Sequence, residues 1–183
     1  MRDMWTMTHF KSIEELNEVQ RQKIVEIFFE SSSKKDFTNE VEAFSFFYKW
    51  TVYYFSAKYP GESFLYNGVN GNPLGYLSGT DNSLKAQPYF DQINTCYSIF
   101  EEEFKRFPAH FHINVAAEAR GNRIGSQLIQ RYTDHLRHKN ISGVHIVTAA
   151  NARNRDFYRQ NGFIHEVEKT CRKVPLVFMG KIL

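Results

Sequence analysis

The chain has 183 residues, 16% of them aromatic, and a formal net charge of +3. That length suits one domain with a sizeable core and is short for two. The mild charge falls short of the dense basic face of a nucleic-acid binder, and no run approaches the roughly 18 apolar residues of a spanning helix, so neither nucleic acid nor a membrane is an expected partner. Cys96 and Cys171 lack C-x-x-C or Cys/His metal spacing, and the seven histidines form no H-x-x-x-H pair, so no metal is expected. The spacing does not forbid a disulfide, but two unpaired thiols in a reducing compartment are the expectation. The first ten residues lack the apolar stretch of a secretion signal, which leads to a soluble cytoplasmic protein.

Residues 4–10 are predicted to open the chain as a short strand. Ser12 and Glu15 have capping-box spacing ahead of a helix over 13–30. After the polar break Ser31-Ser-Ser-Lys-Lys-Asp, a second helix is predicted over 40–58, with Phe44, Phe47, Tyr48, Val52 and Phe55 on its inner face and Tyr59-Pro60-Gly61 as its stop. The period then changes to that of two short strands, 63–69 and 73–79, around Asn70-Gly71-Asn72, a hairpin signal. Residues 80–91 are polar and turn-rich. The spacing of Ile93, Tyr97, Phe100 and Phe104 predicts a helix over 92–106, whose acidic run Glu101-Glu102-Glu103 reads most simply as a solvated face. Strands at 109–115, 143–148, 164–174 and 176–182 alternate with helices at 124–139 and 151–161. This order predicts a mixed α/β sheet of about seven strands flanked by helices.

Two segments carry the chemistry. In Asn114-Val-Ala-Ala-Glu-Ala-Arg-Gly-Asn-Arg-Ile-Gly a strand turns through a basic, glycine-containing loop into a helix. A helix N-terminus offers unpaired N–H groups and the positive end of the macrodipole to an anion. Gly121 and Gly125 let the backbone approach a ligand, Arg120 and Arg123 add charge, and Ser126 adds a hydroxyl. This is a cradle for a pyrophosphate, although neither a P-loop nor a dinucleotide fingerprint. The second segment, Asn151-Ala-Arg-Asn-Arg-Asp-Phe-Tyr-Arg-Gln-Asn-Gly-Phe, opens on a good N-cap residue and ends with Gly162 at a helix C-terminus. Phe157 and Tyr158 are neighbours on that helix and face different ways.

In order and spacing the two segments resemble the GCN5-related N-acetyltransferase (GNAT) superfamily. Its pattern is [QR]-x-x-G-x-[GA] after the fourth strand, then Asn and F-Y-x-x-x-G-F after the fifth. Arg120 and Gly125 fill the ends of the first pattern; Asn151, Phe157, Tyr158, Gly162 and Phe163 fill the second. Arg123 stands where the family has its middle glycine. A narrower likeness, Phe107-Pro-Ala-His-Phe-His-Ile-Asn-Val with Gly143-Val-His-Ile and Ala150-Asn151, is to bacterial acetyltransferases related to the acetyltransferase-like domain of O-GlcNAcase.

The resemblance implies an acyl-CoA N-acyltransferase fold: a single N-acetyltransferase domain over residues 1–183, with an inserted helical segment at about 82–107. It implies acetyl-CoA as co-substrate, with no metal. The backbone of Ile113, Asn114 and Val115 would pair with the pantetheine arm. Arg120 and the N–H groups of Gly121, Asn122, Arg123, Gly125 and Ser126 would hold pyrophosphate, and Asn151 would bond the arm or its loop. Tyr158 would protonate the departing thiolate, a role that suits a phenol of pKa near 10. A small-molecule or peptide amine would attack the thioester directly.

The general base is unassigned. His110 and His112 alternate onto one side of a strand, Glu118 reads as solvent-facing, and Glu101 to Glu103 depend on where their helix lies. Cys96 as a nucleophile lacks an identifiable partner. The other functional class is a non-catalytic acyl-CoA-binding module. The acceptor is not legible, and the oligomeric state is open, a homodimer included.

Overall fold

A computed structural model describes residues 5–32, 34–56, 58, 61–93 and 95–183. The strands are β1 (Thr6–Phe10), β2 (Ser63–Asn67), β3 (Pro73–Thr80), β4 (Ala109–Val115), β5 (Gly143–Ala149), β6 (His165–Cys171) and β7 (Val174–Ile182). The α-helices are α1 (Glu18–Ser31), α2 (Glu40–Phe55), α3 (Ser83–Gln92), α4 (Ile124–His138) and α5 (Arg155–Gln160). The strands join in one mixed sheet, in the order β1-β2-β3-β4-β5-β7-β6, flanked by helices as predicted. The chain divides into two compact units: Met1–Gly79 with His112–Tyr132, and Thr80–Phe111 with Thr133–Leu183. Among the described residues no helix is long and apolar enough to cross a membrane.

In the first unit β1, β2 and β3 form an antiparallel meander, in register from Thr6↔Asn67 to Phe10↔Ser63. The predicted hairpin turns at Gly71 (φ 78°), and the Gly68 N–H donates to the Asn72 carbonyl at 2.9 Å. Ser12 and Glu15 do make their capping box, but it opens only a 3-10 turn, Ile13–Glu15. Leu16 goes extended and buries its side chain, and a second capping box, Asn17 with Gln20, opens α1. One predicted helix is thus two, because a new cap satisfies the N–H groups that continuation would have paired.

Asn39 caps α2, whose inner face is Phe47, Thr51, Val52, Tyr54 and Phe55. Phe44 and Tyr48, expected on that face, instead stack on each other in solvent, 66% and 55% exposed. Aromatic residues surround this helix on most sides, so spacing alone does not select the buried stripe. Met4 of the predicted first strand, Ser33 of the polar break, the Tyr59-Pro60 stop and Asn94 lie outside the described residues.

In the second unit the expected turn-rich stretch is α3, and the helix expected over 92–106 is a 3-10 helix, Tyr97–Lys105. Asn82 caps α3 by accepting from the Lys85 N–H at 3.0 Å, while Ser83, Ala86 and Phe90 supply a buried face. Pro88 removes one donor, which a short helix packed on one side tolerates. The stripe Tyr97, Phe100 and Phe104 is buried as its spacing implied. Cys96, left-handed at φ 61°, is disulfide-bonded to Cys171 at the end of β6, their Cα atoms 6.2 Å apart. The expectation of two unpaired thiols is therefore wrong. The residues are 75 apart in sequence, and only the fold brings them into bonding range.

β5 and β6 each pair antiparallel with β7, and β4 pairs parallel with β5 at Ala109↔Val144 and His110↔His145. Phe100, Phe104, Phe107, Phe163 and Phe178 are fully buried in this unit. Each stabilises it by up to about 1.5–3 kcal/mol relative to exposure.

Candidate active site

The cradle lies wholly in the first unit. Ile113, Asn114 and Val115 end β4 half-buried, followed by a 3-10 turn, Ala117–Ala119, and the loop 120–123. Arg120 folds back on this turn, its Nε donating to the Val115 carbonyl at 3.1 Å and its guanidinium reaching Ser31 Oγ at 3.4 Å. The Ala117 N–H donates to the Glu30 carboxylate at 2.9 Å, so α1 fastens the turn from the other side. Gly121 is left-handed at φ 85°, with open space where a Cβ would stand. Arg123, the one letter out of pattern, is also left-handed, at φ 60°. It keeps the conformation that a glycine adopts freely, at a cost of about 1–2 kcal/mol.

Ile124 is buried and anchors the start of α4, with Gly125 and Ser126 half-buried in its first turn. The Gln127 N–H donates to the Arg123 carbonyl at 3.0 Å. The N–H groups ahead of it have no carbonyl one turn earlier in α4, which leaves the loop rich in donors. Asn114 is held by its side chain, whose Nδ2 donates to the Tyr76 hydroxyl at 2.8 Å. Burial raises that phenol above its ordinary pKa.

Asn151 and Tyr158 lie in the second unit. Asn151 is not the predicted N-cap. It is exposed in a turn after β5, and α5 starts four residues later at Arg155, with Asn154 in the cap position and no side-chain cap bond. The Ala150 carbonyl is taken instead by Arg155 Nη1 at 2.6 Å. α5 is fastened to β6 by ion pairs: Arg159 bonds Glu166 at 2.6 Å, Arg155 joins it, and together they hold the Glu166 carboxyl at about pH 2, Arg159 contributing most. Gly162 closes the helix at φ 88°, as its place in the sequence implied.

Tyr158 is 7% exposed, its ring walled by Phe111, Phe157 and Phe163 at 5.3–6.4 Å. Burial raises its pKa above the ordinary value, so the phenol is protonated at neutral pH. Among the described residues its hydroxyl has no hydrogen-bond partner.

The two histidines of β4, expected to act alike, have different surroundings. His110 is buried, its Nδ1 2.8 Å from Ser83 Oγ and 2.6 Å from the Tyr97 hydroxyl. His112 is exposed, yet protein around it disfavours its charged form and pulls the imidazole down to about 4. His112 is therefore neutral at pH 7. Its neighbours are Tyr54 at 5.4 Å and Trp50 at 6.5 Å, both edge-on. The period of a strand put both histidines on one side; which of them would be engaged depended on the unforeseen α3.

The acidic candidates are engaged elsewhere. Glu101 accepts from Gln87 and Glu103 from His165, each at 2.9 Å, while Glu102 and Glu118 sit at the surface, each 3.9 Å from a lysine, Lys169 and Lys23.

Residues 21–163 match the model of the acetyltransferase (GNAT) family. Among solved structures the chain resembles SsHAT (TM-score 0.65, 17% identity, 97% of this chain and 98% of that one). It also resembles a chain of the NatC complex bound to Gag peptide and CoA (0.60, 13%, 98% of each). A third likeness is to the ribosomal-protein-alanine N-acetyltransferase of Brucella melitensis (0.59, 18%, 97% and 99%). At these identities the likeness is one of fold, and no curated protein matches the chain by sequence. The family match spans both signatures, and on it the chain belongs to the acetyltransferase (GNAT) family.

Proposed function

We propose that the protein is an acetyl-CoA-dependent N-acetyltransferase that moves the acetyl group to a primary amine by direct attack. The observation that carries this is Tyr158, an enclosed, protonated phenol whose hydroxyl is unengaged among the described residues, standing at the tyrosine of the family pattern. The donor-rich loop Gly121–Ser126, in which Arg123 preserves the backbone of the motif's glycine, supports a pyrophosphate there. Ile113, Asn114 and Val115, half-buried at the end of β4, and the exposed Asn151 are the residues that the family pattern assigns to the pantetheine arm.

In the reaction a neutral amine attacks the thioester carbonyl and a C–N bond forms. The C–S bond breaks, and the thiolate takes the Tyr158 proton. The nitrogen becomes acidic as it bonds to carbon and gives its proton to water. The products are an amide and free coenzyme A, and solvent restores Tyr158.

The test is incubation with acetyl-CoA and a panel of amines while free thiol is followed. Thiol release that depends on the amine and collapses in Tyr158→Phe is the expected result. Tight acetyl-CoA binding without turnover on any amine would instead establish a non-catalytic acyl-CoA-binding module.

A further inference from the structure

Arg155 stands where helix chemistry does not call for it. It is the first residue of α5, a helix of six residues whose cap position, Asn154, makes no side-chain cap bond. A cation at a helix N-terminus opposes the macrodipole, so the helix itself gains nothing from an arginine there. Nor is Arg155 needed to fasten α5 to β6, because Arg159 already grips Glu166 with a fork, Nε donating at 2.6 Å and Nη2 at 3.0 Å. Among the described residues, Arg155 is the one whose side chain donates to the Ala150 carbonyl, from Nη1 at 2.6 Å, while its Nη2 donates to Glu166. Nη1 also lies 2.9 Å from the Glu168 carboxylate. One planar group thus ties α5 and β6 to the turn after β5, through bonds from separate nitrogens that a single ammonium does not reproduce.

The Ala150 carbonyl belongs to the peptide that joins Ala150 to Asn151. That peptide is trans, so its N–H points away from its C=O. The Ala150 N–H donates to the Pro175 carbonyl of β7 at 2.9 Å, which fixes the other side of the same residue. With Ala150 held at both ends, the plane of the next peptide is set and the Asn151 N–H is turned away from Arg155. Asn151 is exposed, and among the described residues neither its N–H nor its side chain has a hydrogen-bond partner. We infer that Arg155 is a positioning residue with two tasks: it aims the Asn151 N–H at the cofactor arm, and it holds the helix that carries Tyr158. A donor to the arm and the proton donor to the thiolate are thereby set by one guanidinium. The identity of the arm rests on the acetyl-transfer reading given above; the tie between the turn and α5 does not.

The test compares Arg155→Lys, which keeps the charge but not the fork, with Arg159→Lys, which leaves the Ala150 bond intact. Arg155→Lys should weaken acetyl-CoA binding about three- to tenfold in calorimetry, the loss of one aimed hydrogen bond. It should also lower kcat about 10- to 100-fold, the cost of a displaced catalytic group. Arg159→Lys, at a half-exposed ion pair, should change acetyl-CoA affinity by less than about twofold. Tyr158 is followed without turnover: with the ten tyrosines replaced by 3-fluorotyrosine, its fluorine resonance is the one lost in Tyr158→Phe, and it should move in Arg155→Lys. Arg155→Gln serves in the same comparison if Arg155→Lys fails to fold. Equal acetyl-CoA affinities in the Arg155 and Arg159 variants, or an unmoved Tyr158 resonance in the Arg155 variant, would overturn the inference. Unmodified protein that binds acetyl-CoA but releases no thiol with any amine would strike the transfer reading alone, since affinity and resonance are read without turnover. Absence of acetyl-CoA binding would strike both.

Discussion

The loop after β4 and the helix α5 carry the two halves of one signature, and they are built in opposite ways. The loop is exposed at Arg120, Gly121, Asn122 and Arg123 and holds two residues in left-handed backbone. α5 holds its key residue inside, with Tyr158 walled by three phenylalanines and the helix tied to β6 through Glu166. The difference suits the two tasks proposed for them. A pyrophosphate is bound by backbone donors that must face the ligand, so the loop cannot satisfy them internally. A proton donor to a thiolate must keep its proton until the carbon–sulfur bond breaks, and desolvation does that.

The contrast is tested most severely at Tyr158. Tyr158→Phe should lower kcat by about 10²–10⁴-fold with acetyl-CoA affinity unchanged, since general acid catalysis typically contributes that much. An unchanged rate and pH profile would remove the residue from the chemistry. Next in size is the Cys96–Cys171 bond of the same unit. Its reduction, or the Cys171→Ser substitution, should cost about 2–4 kcal/mol in chemical unfolding, with a smaller loss only if the unfolded state stays compact.

On the loop side, Gly121→Ala meets no atom, so its penalty is conformational. About 1–2 kcal/mol of left-handed strain should weaken acetyl-CoA binding roughly five- to thirtyfold in calorimetry. Arg123→Gly removes strain of the same kind. It should raise stability by up to about 1 kcal/mol, provided the Arg side chain is not itself a ligand, in which case acetyl-CoA affinity falls.

The smallest effect concerns pH. Desolvation by the protein packed around the exposed His112 holds its folded-state pKa at about 4, below its unfolded value near 6.5. Its contribution to stability is present above pH 6.5 and is lost as pH falls through 4, because the unfolded state takes up the proton first. Thermal unfolding of His112→Gln should therefore show a shallower decline between pH 6.5 and 4 than the wild type.

Much of the second half of the chain was legible because its elements alternate at short intervals with strong stops. β4 lies at Ala109–Val115 as predicted, and α4 and β5 differ from expectation by one residue at their ends. α3 was not legible, since its polar letters and Pro88 resemble a loop until one knows that Ser83, Ala86 and Phe90 have a surface to bury against. The inner face of α2 escaped for the converse reason, an excess of rings. Within the candidate site the turn at Gly121, left-handed in the structure, could be read from backbone chemistry. The separate fates of His110 and His112 could not, because Tyr97 and Ser83 reach His110 only through the fold.

The disulfide has a topological consequence. Residues 96–171 form a closed covalent ring, and β4, the cradle, Asn151 and Tyr158 all lie on it. A single backbone cut inside the ring would leave both new ends on one molecule, so a nicked protein would run as an intact chain until a reductant is added. Both signatures also remain tethered within one loop when the protein is unfolded, and their reunion on refolding is a search inside that loop rather than along a free chain.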